Sequence, residues 1–414
     1  MNPPFARRMD AMKASEIREL LKLTESPDVI SMAGGLPAPE LFPVDDLIAI
    51  TTRVLREAGA QALQYSPTEG FAPLRAQIAG RMNARWGTGL GGEDVLVTTG
   101  SQQGLDLVGK LFLDDGDELL CESPTYIGAI SAWNAFRPTW VEVPTDDEGM
   151  DLAALEERIA GCRRAKFIYV IPNFQNPSGR TWSLARRRGL LEVARRHDLA
   201  VIEDNPYGEL RFEGEFLPAL QALDDTGRVI GLGTFSKVFC PGLRLGWITA
   251  RPPYFAKLVV IKQGADLHSS TLNQMQTSEY LRSVDFDARV GKIVAVYRER
   301  RDAMLEALAR EMPAGTRVTR PAGGLFLWVQ LPGGVDARVL LRRALDHRVA
   351  FVPGGSFYPN GGHQDTLRLN FSNMPPERIR EGIRRIAAAT RELLATGNGR
   401  TAESAPAAVP GTAH

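Results

Sequence analysis

Val229-Ile230-Gly231-Leu232-Gly233-Thr234-Phe235-Ser236-Lys237 carries an apolar run into a lysine flanked by small hydroxyl residues. The run reads as a buried strand, and Lys237 stands just past its end. An amine in that place can form a Schiff base with an aldehyde cofactor, and the hydroxyls of Thr234 and Ser236 can hold a phosphate. The competing explanation is a lysine snorkelling at a strand end, which for an isolated Ser-Lys pair is the better one. The company Lys237 keeps elsewhere in the chain decides between them.

Outward from this stretch, strand-like and helix-like segments alternate from residue 45 to 305. Strands are expected at 95–99, 118–122, 139–143, 167–171, 200–203, 229–232 and 247–250, with helical patterns such as 183–197 between them. This alternation predicts an α/β fold, a large domain (45–305) with a mostly parallel sheet covered by helices on both faces. Beyond 305 the pattern changes to strands at 325–331 and 350–353 and helices at 337–346 and 377–394, a smaller α+β domain (306–395). Residues 1–44 form an arm with a short amphipathic helix over 14–24, where Ile17, Leu20, Leu21 and Thr24 share one side. The tail, 396–414, has almost no large apolar side chain and is expected to be disordered.

At 414 residues, 44% hydrophobic and 24% charged, the chain has the make-up of a soluble globular protein too long for one ordinary core. Acidic and basic residues balance at 49 each, which gives no electrostatic case for a nucleic acid or an anionic membrane as partner. The basic clusters Arg186-Arg187-Arg188 and Arg195-Arg196 sit in a helical pattern and read as a solvated face. Cys121, Cys162 and Cys240 have no metal-ligand spacing and suit a reducing compartment. Residues 1–16 lack the apolar core of a signal peptide, and no apolar run approaches the roughly 20 residues that span a bilayer. A cytoplasmic protein without a metal is the expectation.

The other candidate residues fall at strand ends. Asp204 follows the strand at 200–203, and a carboxylate there faces the ligand crevice of a parallel sheet, where it can pair with a protonated ring nitrogen. A capping aspartate in the turn Asp204-Asn205-Pro206 explains it about as well when taken alone. Tyr207, and Asn176 in Gln175-Asn176-Pro177-Ser178-Gly179, are placed to hydrogen-bond a phenolic oxygen, although Asn-Pro-x-Gly is also an ordinary turn sequence. Thr98-Thr99-Gly100-Ser101-Gln102-Gln103-Gly104 leaves a strand and opens a helix, so its free amides, with Ser101 and Gln102, make a phosphate site; a plain glycine turn with a serine cap is the alternative. Arg244, in Pro241-Gly242-Leu243-Arg244-Leu245-Gly246, is a cation in an apolar, glycine-rich stretch and calls for an anion. Tyr126 follows the strand at 118–122 and suits either stacking on an aromatic cofactor or the core. Arg368 alternates with apolar residues in Thr366-Leu367-Arg368-Leu369-Asn370 and suits bidentate capture of a carboxylate; a surface arginine on an edge strand is the bland alternative. Singly these motifs are weak to moderate, and together they supply different parts of one cofactor.

The chain resembles fold-type I pyridoxal-phosphate aminotransferases over nearly its whole length apart from the tail. It looks most like the branch of 2-aminoadipate aminotransferase and kynurenine aminotransferase II. That resemblance is carried by Ala33-Gly34-Gly35-Leu36-Pro37-Ala38-Pro39, Gln263-Gly264-Ala265-Asp266-Leu267-His268 and Phe351-Val352-Pro353-Gly354-Gly355, and by 15–24, 63–70 and 99–103. It implies pyridoxal 5'-phosphate as cofactor, carried by Lys237, which also shuttles the proton at Cα. It implies Asp204 on the ring nitrogen, Asn176 and Tyr207 on the phenolic oxygen and Tyr126 stacked on the ring. Ser101, Gln102, Thr234, Ser236 and Arg244 would hold the phosphate, with Tyr65 reaching in from the partner subunit of a homodimer with shared sites. Arg368, helped by Asn176 and Gly35, would bind the substrate α-carboxylate. Ser15 and Arg18 are three apart, share a helix face, and match the positions that bind a distal carboxylate in the aminoadipate enzymes. One departure is Asn205-Pro206, where the family has an acidic or small pair before the tyrosine; it bears on substrate preference rather than on Asp204.

The reaction this implies moves an amino group from an L-amino acid, acidic or large and apolar or aromatic, to a 2-oxo acid such as 2-oxoglutarate. Two rivals stand beside it. One is another enzyme on the same cofactor, a β-lyase, decarboxylase or oxidase. The other is an effector-binding remnant of the branch's transcription regulators, although some thirty residues precede Gly34, fewer than the roughly 50 a DNA-binding domain needs. Arg18→Ala is expected to raise KM for 2-oxoglutarate more than for an apolar oxo acid, by about 1.5–3 kcal/mol if a charge-assisted hydrogen bond is lost. Steady-state kinetics with both acceptors checks this, and equal effects would make Arg18 structural.

Overall fold

The computed structural model describes residues 4–12 and 28–396. The helix expected at 14–24, with Ser15 and Arg18, and the tail beyond 396 lie outside the described residues. After β1 (Ile30–Ser31), the chain builds an eight-stranded sheet from β2 (Val95–Thr98), β3 (Glu118–Ser123), β4 (Thr139–Asp146), β5 (Gly149–Met150), β6 (Ala165–Val170), β7 (Ala200–Asp204), β8 (Val229–Thr234) and β9 (Gly246–Thr249). Their order is β2-β9-β8-β7-β6-β3-β4-β5. Strands β4, β3, β6, β7 and β8 run parallel, which is the expected core of the sheet. Two strands depart from it. β5 folds back on β4, and β9 lies antiparallel between β8 and β2. β9 reverses because no crossover helix separates it from β8, and a parallel return needs about a dozen residues or more, usually as a helix.

Alternate residues of these strands feed two cores. Val201, Val229, Ile168 and Val170 pack with Leu155, Leu190 and Val193 of the helices Leu152–Gly161 and Leu184–Arg196. Ile202, Ile230, Phe167 and Tyr169 point the other way, into the larger core with Leu105 and Val108 of the helix Ser101–Phe112. Period-two alternation therefore selects the face, and both faces are buried, so the strands read as unbroken apolar runs. Ser183 caps the helix Leu184–Arg196 by accepting a hydrogen bond from the Arg186 amide. Arg187 overturns the reading of that helix's basic cluster as a solvated face. It is 0% exposed, because it falls on the inner face with Leu190, and its guanidinium donates to the carbonyls of Trp182, Pro172 and Pro218 and to Asn173 Oδ1.

The chain then forms a four-stranded antiparallel sheet from β10 (Arg317–Val318), β11 (Phe326–Gln330), β13 (Val352–Pro353) and β14 (Thr366–Asn370), in the order β10-β11-β14-β13. The intervening β12 (Val349–Ala350) pairs in parallel with β1 instead, as a separate two-stranded sheet that ties the arm to the chain just before β13. Helices Ala337–Asp346 and Pro376–Thr396 match the expected ones closely, and residues 305 and 306 fall inside the long helix Phe286–Glu311.

Gly246 opens β9 where it pairs with both Thr98 and Thr234. A Cβ there would lie 2.6 Å from the Ser101 nitrogen, 2.7 Å from the Gly100 carbonyl carbon and 2.8 Å from the Gly233 oxygen, all backbone atoms that cannot rotate away. Gly246→Ala is expected to destabilise the apoprotein by about 1–3 kcal/mol, as overpacking does. Gly104→Ala, facing the Leu232 side chain at 3.2 Å in a helix that favours alanine, should be near neutral. Thermal melting of the two variants side by side checks the contrast.

Candidate active site

Parallel strands end at one edge of a sheet. The loops leaving β3, β6, β7 and β8 therefore emerge together, and β2, which also runs parallel to β8 across the reversed β9, adds its own. Ser101, Gln102, Tyr126, Asp204, Tyr207, Thr234, Ser236, Lys237 and Arg244 all line one cavity of about 160 Å³ at that edge. Ile171, Pro206 and Pro241 complete its wall.

Asp204 ends β7 and is buried. Its Oδ2 accepts a 2.9 Å hydrogen bond from the Tyr169 hydroxyl, and its Oδ1 has no partner among the described residues. Burial pushes its carboxyl up to about 7, and the Tyr169 bond offsets part of that. Lys237 Nζ donates to the Gly35 carbonyl at 2.9 Å. Burial, then the charges of Arg368 and Arg244, lower its ammonium to about 8. Asn176 joins two site residues, donating from Nδ2 to the Tyr207 hydroxyl at 3.1 Å and accepting from Arg368 Nη1 at 2.9 Å. Arg368 lies on β14 between β11 and β13, so it is a buried central residue rather than an edge one. Its Nη2 donates to the Ala33 carbonyl at 2.7 Å, and its guanidinium sits 4.1 Å from the Phe326 ring centroid. Its Nε is unpartnered among the described residues, and burial lowers it to about 10.

The phosphate candidates converge as well. Gly100 precedes the helix Ser101–Phe112 with φ 76°, and no side chain caps that helix, so Ser101 is its first residue rather than its cap; the Gln103 amide turns back to the Gly100 carbonyl, and the Ser101 and Gln102 amides have no acceptor among the described residues. A Cβ on Gly100 would lie 2.4 Å from Arg244 Nη2, which puts the guanidinium directly against that turn. Arg244 makes no ion pair among the described residues; its Nη1 donates to the Pro241 carbonyl. Thr234 Oγ1 lies 2.9 Å from Ser236 Oγ. The Tyr126 ring lies over Gly128, where a Cβ would meet it at 2.4 Å.

Tyr65 is not brought to this cavity within one chain. It is 79% exposed and packs edge-on against His268, with ring centroids 5.7 Å apart. Sequence reasoning misses Tyr169, Ala33 and Phe326. Tyr169 carries a signal: a hydroxyl in the aliphatic strand Ala165–Val170 needs a partner once buried, and Asp204 lies one strand away.

The family described as Aminotransferase class I and II matches residues 37–386. The chain belongs to the class I and II aminotransferases. It is 50% identical to a 2-aminoadipate transaminase of Thermus thermophilus, covering 94% of this chain and 97% of that one. It is 47% identical to Aromatic-amino-acid aminotransferase 1 of Thermococcus litoralis, covering 94% of each. Among solved structures, an alpha-aminoadipate aminotransferase from Thermus thermophilus complexed with N-(5'-phosphopyridoxyl)-L-leucine superposes with a TM-score of 0.89 at 48% identity, over 95% of this chain and 98% of that one. A kynurenine aminotransferase of Pyrococcus horikoshii in complex with PMP gives 0.90 at 42% identity, over 94% and 97%. The protein is a pyridoxal-phosphate-dependent transaminase of fold type I.

The aminotransferase's residues fit that cofactor. Buried Asp204 Oδ1 lacks a donor among the described residues, which a protonated ring nitrogen would supply, and the Ser101 and Gln102 amides with Arg244 suit a phosphate. Among the described residues, no cluster of three or more His, Cys, Asp or Glu is placed to hold a metal ion, and no helix is long and apolar enough to cross a membrane.

The raised Asp204 carboxyl sets a pH dependence. The folded apoprotein holds the proton up to about 7, against an ordinary value of 3.8, so this contribution to stability is full below pH 3.8 and is lost as pH rises through 7. Asp204→Asn removes the loss. Its melting temperature as apoprotein, relative to wild type, is expected to rise between pH 5 and pH 7 and level off above. A pH-independent gap in calorimetric scans would contradict the burial argument.

Proposed function

We propose that this transaminase takes glutamate or 2-aminoadipate, and also large apolar or aromatic L-amino acids, with 2-oxoglutarate as acceptor, as a cytoplasmic homodimer. The observation that carries the reading of the site is the Arg368 guanidinium, buried without a carboxylate partner among the described residues and held by Asn176 and by Ala33, two residues before the Gly35 that holds Lys237. A substrate α-carboxylate is the anion such a group lacks. The breadth of substrate rests on the similar identity to an aminoadipate enzyme and an aromatic one, 50% and 47%. Support for the dimer is the exposure of Leu63 (74%) and Tyr65 (79%) beside a groove of about 610 Å³ lined in part by Pro67, Phe71 and Pro73. Tyr65 of the partner subunit is then the residue that reaches the phosphate.

Bound pyridoxal phosphate supplies the electron sink that stabilises the substrate carbanion. Arg368, with Asn176 and Gly35, orients the substrate by its carboxylate, and Ser15 and Arg18 take a distal one. Lys237 carries the cofactor, and once free its Nζ removes the Cα proton; an ammonium lowered to about 8 keeps a fraction of neutral amine near neutral pH. Asp204 keeps the ring nitrogen protonated, Asn176 and Tyr207 hold the phenolic oxygen and Tyr126 covers the ring. Ser101, Gln102, Thr234, Ser236 and Arg244 fix the phosphate.

Steady-state assays across amino donors, with and without 2-oxoglutarate, test the reading. Turnover that needs the oxo acid is expected; sustained turnover without it would point to a lyase, decarboxylase or oxidase. Lys237→Ala should abolish turnover, and Asp204→Ala should cost at least about tenfold in kcat, 1.4 kcal/mol of barrier. Sedimentation should find a dimer, and an active monomer would refute the shared site.

A further inference from the structure

Lys262 is a fully buried cation with no part in the chemistry above. Its side chain is 0% exposed on the helix Tyr254–Asp266, and it does not line the cofactor cavity. Its ammonium has three donors, and all three are used: Gln103 Oε1 at 3.0 Å, Asp266 Oδ1 at 2.7 Å and Ser269 Oγ at 3.2 Å. These acceptors turn back to one residue of the turn before the helix Ser101–Phe112. Gln103 Oε1 also accepts from the Thr99 amide at 2.8 Å. Asp266 Oδ2 accepts from Thr99 Oγ1 at 3.0 Å, and Ser269 Oγ lies 3.0 Å from the same hydroxyl. Thr99 is therefore gripped through both its amide and its hydroxyl by groups that converge on one ammonium.

The residue after Thr99 is Gly100, whose positive φ aims the opening amides of the helix and which has Arg244 against it. An ion pair between one buried cation and Asp266, which like Thr99 reaches the surface, is a weak source of net stability, because desolvation and solvent screening offset most of the attraction. It is a strong source of geometric definition, because each lost member leaves another polar group unpaired. We infer that Lys262 is a positioning residue for the phosphate end of the cofactor: through Gln103, Asp266 and Ser269 it sets Thr99, and with it the amides that open the helix at Ser101. This rests on the reading that the phosphate lies at Ser101, Gln102 and Arg244.

The test titrates full-length apoprotein with pyridoxal 5'-phosphate and with pyridoxal, which lacks the phosphate, following absorbance. Arg244→Ala checks the underlying site and should weaken the phosphorylated form at least about tenfold, 1.4 kcal/mol, with pyridoxal little changed. Lys262→Met should weaken pyridoxal phosphate by about the same factor, with pyridoxal within about twofold of wild type. A general packing defect would weaken both forms alike. Thr99→Val breaks the same link without touching a buried charge, and should show the same selective loss if Lys262→Met does not fold. If Arg244→Ala discriminates between the two ligands while Lys262→Met, or Thr99→Val in its place, binds both as wild type, the positioning role is overturned and the phosphate site stands. If Arg244→Ala itself does not discriminate, the phosphate site falls and the inference with it.

Discussion

Arg368 keeps its charge, is 2% exposed and meets no carboxylate among the described residues. A guanidinium in that situation must be surrounded by acceptors and aromatic faces, and the chain supplies them from distant places. Asn176 comes from the loop after β6, Ala33 from the arm that follows β1, and Phe326 and Phe357 from the second sheet and its flank. One buried cation thereby fixes the arm, the large sheet and the small sheet relative to each other. The same arm continues to Gly35, whose carbonyl holds Lys237. Arg368 and Lys237 are thus coupled through a three-residue stretch of backbone, Ala33 to Gly35.

The electrostatics of the site follow from this arrangement. Arg368 and Arg244 both press the Lys237 ammonium toward its neutral form, after burial has done most of it. Asp204 is the opposing group, a buried acid with one oxygen on Tyr169 and the other without a donor among the described residues. The cavity therefore has a cationic rim and one acid deep at a strand end, which is the polarity a phosphorylated pyridine presents in reverse. Around it stand groups with no chemical part, Arg187 behind the Asn173–Asn176 loop and Lys262 behind Thr99, each buried and held by several acceptors.

Much of the site is legible in the amino-acid sequence. Asp204, Lys237, Tyr126 and Ser101 each follow an apolar run, and in a parallel sheet such positions share one edge, so reading the strands is enough to bring these residues together. Arg368 is legible because an arginine alternating with Leu367 and Leu369 shares neither their face nor their chemistry. Tyr169 escapes notice because a tyrosine in a buried strand has an ordinary explanation in packing. Arg187 is misread because its neighbours Arg186 and Arg188 are cations too, and periodicity alone does not tell which of the three turns inward.

The sequence by itself determined which chemical groups are present and which strand ends carry them, because hydrophobic period and turn residues are local properties. It also placed the sheet as mostly parallel, since helical segments separate most of its strands. Only the tertiary structure decided that β1 pairs with β12 and that Tyr169, Arg187 and Lys262 find their partners. Those outcomes depend on contacts between residues far apart in the chain. A buried hydroxyl or cation requires some partner, but which one it receives is settled when the layers close.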